Sequence, residues 1–384
     1  MHSIKNWFLL LFIFVSASFN AQQMPLSKAA KISILTCEKG NELYSLFGHT
    51  AIRVKDEASN LDIVYNYGTF DFRTENFYLK FIKGNLQYFV SAYPYSDFYE
   101  EYVQENRSIY EQVLRISAPQ KQQLFDALNT TLFSDEKYYT YKFIDRNCTT
   151  MVVDKVNETL GEKCVVKTSH LDQTYREILF PYLESHFYEN LGINIIFGEK
   201  VDRNGDILFL PDEFMESLKT AKINQLLLAE NPITLLQSQK IVFPKSLWNN
   251  YYTFCIALIL LVVSRKKWLY SVYFILTGLL GIFLLTVGFY SFHEELLFNY
   301  NSLLFNPSLL FVVYFFYKNN FKWLKYSVIF NFLCLFIYLI ILFNKPNFTQ
   351  FIPMILSSIV ILIAFCRFEK EKRNGITIQK KSSE

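Results

Sequence analysis

The sequence predicts a mixed α+β domain followed by an all-α domain of five membrane-spanning helices. Apolar runs crowd into the last third of the chain, and the charge divides between the two halves. Ahead of them, short strand-like runs alternate with helix-like ones. Hydrophobic residues make up 51% of the 384 positions and aromatics 18%, too apolar for an ordinary soluble protein. The 19% of charged residues exclude a wholly membrane-embedded one. Residues 1–245 hold 25 Lys/Arg against 30 Asp/Glu, whereas residues 246–384 hold 13 against 5. An acidic front half is a poor nucleic-acid binder, so no nucleic-acid partner is expected.

The first 21 residues read as a secretory signal. His2 and Lys5 form a basic start, an apolar stretch runs from Trp7 to Phe19, and cleavage is expected near Ala21. That stretch is too short to span a bilayer. Five longer apolar runs follow at 248–264, 268–292, 302–317, 323–343 and 350–366, each near the about 17–25 residues a spanning helix needs. The third is the weakest, being short and broken by Pro307. Arg265, Lys266 and Lys267 follow the first run. Lys318, Lys322 and Lys325 separate the third from the fourth, and Arg367, Lys370, Lys372 and Arg373 follow the fifth. Positive residues mark alternate loops as cytoplasmic, which puts residues 22–245 in the periplasm and the tail 367–384 inside. The expected location is the bacterial inner membrane, with many passes and an exported domain, and 246–366 as the membrane domain.

Within 22–245, "KISILTC" and "HTAIRVKD" read as strands, and "LDIVYNYG" returns as a hairpin partner after the turn-like "EASN". "PQKQQLFDALNTTLF" reads as a helix starting at Ser117–Pro119. "CTTMVVDKVNETL" reads as another, with Asn147 and Cys148 at its start and Gly161 closing it. Residues 211–230 read as an amphipathic helix that leads the chain down to the membrane.

Cys148 and His49 are the two parts of a thiol nucleophile. A helix start favours the thiolate, and its amides can hold an oxyanion. His49 opens a strand directly after Gly48, where an imidazole can take and return the thiol proton. The plainer reading is a small buried cysteine and a structural histidine. Cys37 and Cys164 lie in the same exported segment, where three cysteines allow one disulfide and leave one thiol free. Cys255, Cys334 and Cys366 lie in apolar runs and read as packing residues. His170 and His186 read as surface or core residues and not as catalytic ones. His293 and Asn301 sit in the loop "SFHEELLFNYNSLLFNP" at the outer membrane edge, where polar groups face a protein interior or a headgroup. Arg53 and Arg146 are candidate phosphate contacts, although salt bridges explain them as well. No cluster has metal-ligand spacing, and neither a metal nor another cofactor is expected.

"LFGHTAIRV", "VYNYGTFDF" and "RNCTT" resemble the family of the bacterial lipoprotein N-acyltransferase Lnb, which joins an exported thiol domain to a multi-span membrane domain. The resemblance runs through "LGINIIFGEKVDR", "FLPDEF" and the "NYNSLLFNP" loop. It implies transfer of an acyl chain from a membrane phospholipid to the α-amine of a diacylglyceryl lipoprotein. The same motifs are more distantly similar to permuted papain-like enzymes of the NlpC type, in which a His strand precedes a Cys helix. That similarity implies His49 and Cys148 as the catalytic pair, with Asn147 in the matching "NC". It gives Tyr141, seven residues ahead of the Cys, as an oxyanion donor. Asn66 or Tyr67, opposite His49 in the hairpin, is the third member. Thr149 and Thr150 stand where that group has other residues. Three rivals accompany this reading: a cell-wall cysteine peptidase, a phospholipase and a non-enzymatic membrane scaffold.

Overall fold

A computed structural model describes residues 25–239 and 246–381. The signal segment and the expected boundary at 245/246 therefore lie outside the described residues. In chain order come β1 (Lys31–Cys37), β2 (His49–Asp56), β3 (Leu61–Thr69), α1 (Phe77–Lys83), β4 (Gln87–Pro94), α2 (Tyr95–Gln104), β5 (Ile109–Val113), α3 (Ala118–Phe133) and β6 (Tyr138–Thr140). There follow α4 (Cys148–Leu160), α5 (Tyr175–Leu179), α6 (Phe187–Ile196), α7 (Pro211–Thr220), β7 (Lys222–Ile223), β8 (Leu226–Leu227) and β9 (Ile233–Leu236). The C-terminal helices are α8 (Tyr251–Val263), α9 (Lys267–Tyr290), α10 (Leu309–Tyr317), α11 (Phe321–Leu342) and α12 (Phe348–Lys381).

Seven strands form one antiparallel sheet in the order β6-β4-β3-β2-β1-β5-β9. β1 and β2 sit at its centre and are buried on both faces, which explains their near-continuous apolar runs. Ile32, Ile34, Ile52, Val54, Tyr65 and Tyr67 face one core. Leu35, Cys37, Ala51 and Val64 face the other, under α2. α4 lays Val152, Val153 and Val156 into the first core, each such side chain contributing about 1.5–3 kcal/mol when fully buried. Its start is capped by Asn147 and its end by Gly161 at φ 72, where a left-handed backbone suits glycine. The two strands, the hairpin and both helices read in the sequence are present at the expected places.

Residues 211–230 depart from the expectation. α7 ends at Thr220, and the chain reverses through a β7–β8 hairpin whose Asn224 and Gln225 have φ 48 and 66. Leu228 and Ala229 then pack into the first core, so this segment returns to the sheet and does not descend to the membrane.

Among the described residues, three helices are long and apolar enough to cross a membrane: Lys267–Tyr290, Phe321–Leu342 and Phe348–Arg373. Tyr251–Val263 is apolar but shorter. The third expected run is α-helical only over Leu309–Tyr317, because the residues ahead of it, after a 3-10 turn at Tyr300–Leu303, pack against the side of α9. A Cβ added to Gly281, in the body of α9, would collide with the carbonyl oxygen of Phe305. Irregular backbone at such depth is tolerated where protein covers it. Here Asn306 Oδ1 accepts from the Ser308 amide at 2.9 Å, and Asn331 Nδ2 donates to Ser308 Oγ at 2.8 Å.

The front and rear parts share a core. Leu191 of α6 packs with Tyr270, Phe274, Leu304, Phe305 and Tyr338 of the C-terminal region. The lower end of the exported segment thus belongs physically to the helical bundle. One prediction follows from the close approach at α9. Gly281→Ala should lower the melting temperature of the full chain in detergent, although alanine favours a helix interior by about 1 kcal/mol over glycine. An unchanged or raised melting temperature would refute the loop–helix contact.

Candidate active site

His49 is the first residue of β2 and lies in register with Cys37. Gly48 ahead of it has φ +79, and a Cβ there would stand 2.7 Å from the Cys37 carbonyl oxygen. This tight corner brings the chain into the sheet so that the ring projects at the strand's end. Cys148 is the first residue of α4, and α4 is held to β2 by a 3.0 Å hydrogen bond between the Thr50 and Thr149 hydroxyls. The imidazole and the thiol therefore meet.

His49 Nε2 hydrogen-bonds Asn66 Oδ1. Asn66 Nδ2 donates to the Tyr93 hydroxyl at 2.9 Å, and Tyr93 donates to Glu101 Oε2 at 3.3 Å. That chain orients the Asn66 amide with its oxygen toward the ring. Nε2 accordingly carries a proton, leaving Nδ1 to face the thiol. Burial by itself would raise the Cys148 thiol, but the His49 charge, its hydrogen bond and the Thr50 backbone amide hold it below the ordinary thiol range. Burial likewise works to depress His49, yet the Cys148 charge, its hydrogen bond and Asn66 leave it raised. The arrangement favours a thiolate–imidazolium pair. Cys37 behaves oppositely: burial pushes its thiol up to about 12, so it stays protonated. Cys37 and Cys164 are free thiols, packed against opposite faces of the sheet.

Other predicted residues have partners of their own. Tyr67 lies on the sheet face away from His49, in the first core, so of the two hairpin candidates only Asn66 touches the imidazole. Asn147 is a helix cap: its Oδ1 accepts from the Thr149 and Thr150 amides at 2.9 and 3.0 Å, and its Nδ2 donates to the Phe143 and Phe209 carbonyls. Those two helix-start amides are thereby occupied, which removes them as oxyanion donors. Tyr141 stacks on Tyr88 with centroids 4.4 Å apart.

Tyr139, two residues earlier, has a buried hydroxyl with no hydrogen-bond partner among the described residues. A Cβ placed on Gly68, whose φ is +99, would lie 3.6 Å from Cys148 Cβ, 3.9 Å from the Tyr139 hydroxyl and 4.0 Å from His49 Cε1. Gly68 thus keeps open the space where thiol, imidazole and phenol converge. Neither Tyr139 nor Tyr93 is legible from spacing, because β6 and β4 reach the site only through the strand order. Gly68 in "NYGT" carried the one available signal, a glycine inside a strand.

Arg53 is engaged by Asp62 and Glu111 at 2.7 and 3.2 Å and stacks on Tyr95, so it is a buried structural cation and not an open phosphate contact. Arg146 is exposed beside the site, its guanidinium 5.3 Å from the Tyr139 ring centroid. His293 and Asn301 do not join the thiol. His293 Nε2 lies 2.9 Å from the Phe81 carbonyl oxygen, and Asn301 Nδ2 donates to the Asn194 and Ile195 carbonyls at the end of α6. Their neighbours do reach the site's frame. Glu294 accepts from Lys142 and Lys200, both at 3.2 Å, while buried Glu295 accepts from the Ile144 amide. Lys200 also pairs with Asp145. The membrane-edge loop thus grips residues 142–145, just ahead of Asn147–Cys148.

Residues 17–179 match the family model described as the Lnb N-terminal periplasmic domain. The match identifies this part of the chain as an Lnb-type N-terminal periplasmic domain. The Lnb match includes His49, Asn66, Tyr139 and Cys148 and stops at the end of α5, ahead of the C-terminal helices. No curated protein matches the chain, nor does any solved structure. With three helices of membrane-spanning length behind the Lnb domain, the chain is a membrane protein with a periplasmic domain.

The ion pair has a pH signature. A depressed thiol stays ionised above its own pKa, and a raised imidazole stays protonated below its own, so the pair fills the window between them. Alkylation of Cys148 by iodoacetamide should be half-maximal below the ordinary thiol range and shift upward in His49→Ala. Asn66→Ala removes a hydrogen bond worth about 1.5–3 kcal/mol to a charged partner and should slow alkylation near neutral pH roughly 10- to 100-fold. An unmoved midpoint in His49→Ala would rule the pair out.

Proposed function

We propose that this protein acts in lipoprotein maturation as an N-acyltransferase, moving an acyl chain from a membrane phospholipid to the α-amine of a diacylglyceryl lipoprotein. Residues 22–245 are then the periplasmic catalytic domain, 246–366 its membrane partner with five passes, and 367–384 a cytoplasmic tail of an inner-membrane protein. The order of a His strand before a Cys helix supports a permuted papain-like reading of the domain. The observation that carries the proposal is the Cys148–His49–Asn66 relay at a helix start, framed by a loop from the membrane helices.

In the first half-reaction the Cys148 thiolate attacks the ester carbonyl carbon of a phospholipid. Charge develops on the carbonyl oxygen, where the unpartnered Tyr139 hydroxyl supplies a donor without breaking a bond made in the resting site. The tetrahedral adduct collapses to a Cys148 thioester, and the His49 imidazolium gives its proton to the departing lysophospholipid alkoxide. In the second, the neutral lipoprotein amine attacks the thioester, His49 accepts the amine's proton, and the thiolate leaves as the amide forms. Asn66 keeps the imidazole oriented throughout. Arg146, exposed beside Tyr139, is placed to meet the donor's phosphate. Tyr141, stacked on Tyr88, lines the same side of the site. Gripping of residues 142–145 by Glu294 and Glu295 favours a substrate from the membrane over a soluble cell-wall peptide.

Mass spectrometry of a lipoprotein's N-terminus tests this: one acyl chain more should appear when the full chain is present, and none with Cys148→Ser. An intact mass of the enzyme raised by one acyl group, absent in Cys148→Ser, would locate the thioester. An unchanged acyl count in the presence of active protein would refute N-acylation, and lysophospholipid release independent of any acceptor would identify a phospholipase. Tyr139→Phe should reduce kcat about 10²–10³-fold, the loss seen on removing one oxyanion donor. It should leave the alkylation midpoint of Cys148 in place, and full activity in Tyr139→Phe would exclude that role.

A further inference from the structure

α1 is short and turns Leu79, Phe81 and Ile82 outward. Leu79 is 68% exposed, and Phe81 and Ile82 are exposed beside it. Phe72 just ahead of the helix is 62% exposed. A packed domain rarely leaves such a cluster uncovered, and a patch of this kind marks a lipid or protein partner.

The bonds at the end of α1 say which. Its last three carbonyls are capped by the residues that follow α9: Phe292 N–H donates to Lys83 O at 2.8 Å, Ser291 Oγ to Ile82 O at 2.9 Å, and His293 Nε2 lies 2.9 Å from Phe81 O. Gly84, at φ +71, lets His293 approach so closely that a Cβ there would lie 2.9 Å from its ring. α9 is one of the helices long enough to cross a membrane, so these bonds fix α1 at the depth where α9 leaves it. Phe289, Tyr290 and Phe292 at that same level are exposed too. Lys80 and Lys83 lie in the last turn of α1, suited to anionic headgroups.

From this patch a row of rings leads inward. Phe72 contacts Phe77 and Phe70 at centroid distances of 5.0 and 4.9 Å, Phe70 contacts Tyr88 at 5.2 Å, and Tyr88 contacts Tyr141 and Tyr139. Exposure falls along the row to buried Tyr88 and Tyr139, and the Tyr139 hydroxyl borders the space in front of Cys148.

We propose that α1 is an interfacial helix seated in the outer lipid boundary, and that the ring row from Phe72 to Tyr139 guides a phospholipid acyl chain from the bilayer to Cys148. The occupant is a phospholipid of the outer leaflet. The proposal rests on the acyltransferase reading for the chain's destination, but the docking surface stands on geometry that the reading does not use.

The test uses the full chain in nanodiscs of phosphatidylethanolamine and phosphatidylglycerol, doped with a phospholipid bearing a diazirine on its acyl chain. In Cys148→Ser, photolysis should crosslink lipid to peptides spanning Phe72 to Ile82. In the reactive enzyme, Leu79→Glu should cut acyl transfer from bilayer phospholipid at least tenfold, and Leu79→Ile should retain it. Acylation by a soluble short-chain nitrophenyl ester should be unaffected in Leu79→Glu, which also reports that the site has folded. Crosslinks confined to the membrane helices, or full bilayer transfer by Leu79→Glu, would overturn the proposal. Crosslinks at α1 without acyl transfer by the unmodified chain would uphold the docking surface and overturn the acyltransferase reading.

Discussion

The site depends on one constraint: the start of α4 is pinned to the head of β2. Burial of Val152, Val153 and Val156 against the sheet decides that α4 lies there at all, since each fully buried side chain contributes more than a single hydrogen bond. The Thr50–Thr149 bond, worth about 1 kcal/mol, then sets where along the strand the helix begins. Two left-handed glycines finish the work. Gly48 turns the chain into β2, and Gly68 lets β3 pass the thiol without a side chain in the reaction space. Remove the packing and the thiol has no imidazole; remove the glycines and it has no room.

Polarity around the pair is graded. Asn66, Tyr93 and Glu101 form a chain that leads from the half-buried imidazole toward solvent, so the ring is oriented without a carboxylate in direct contact. On the opposite side the thiol meets the Thr50 amide and the Tyr139 phenol, whose hydroxyl has no partner among the described residues. A buried donor without a partner costs stability, and such costs concentrate at functional sites.

The membrane helices contribute to this frame through the loop between α9 and α10. Glu295 is fully buried, a state a carboxylate tolerates only when paired and hydrogen-bonded, and its partners are Ile144 N–H and Lys200. Asn299 and Asn301 cap α6 through the carbonyls of Asn194, Ile195 and Ile196. His293 and Asn301, legible in the sequence as unusual polar groups at a membrane edge, therefore couple the two parts and do not bind at the thiol. Sequence could mark them because polar groups at that depth are costly; it could not say what they bond, which the packing of α6 against the bundle settles.

The sequence by itself determined the elements that carry His49 and Cys148. Period-two patterning, Asn147 as a cap and Gly161 as a stop bounded β1, β2, β3 and α4, because those signals are local and each residue acts on its own backbone. Hydrophobic run length marked α9, α11 and α12 for the same reason. What required the tertiary structure was everything set by neighbours distant in sequence. Asn66 rather than Tyr67 meets His49 because alternate strand residues point to opposite faces, and only the pairing register tells which face is which. Tyr139 reaches Cys148 because β6 pairs with β4 at the sheet edge, and Arg53 is neutralised by Asp62 and Glu111 from neighbouring strands. The segment 211–230 turned back at Asn224 and Gln225 because burying Leu228 and Ala229 outweighed continuing the helix. Local signals single out the thiol and the imidazole; the strand order decides what surrounds them.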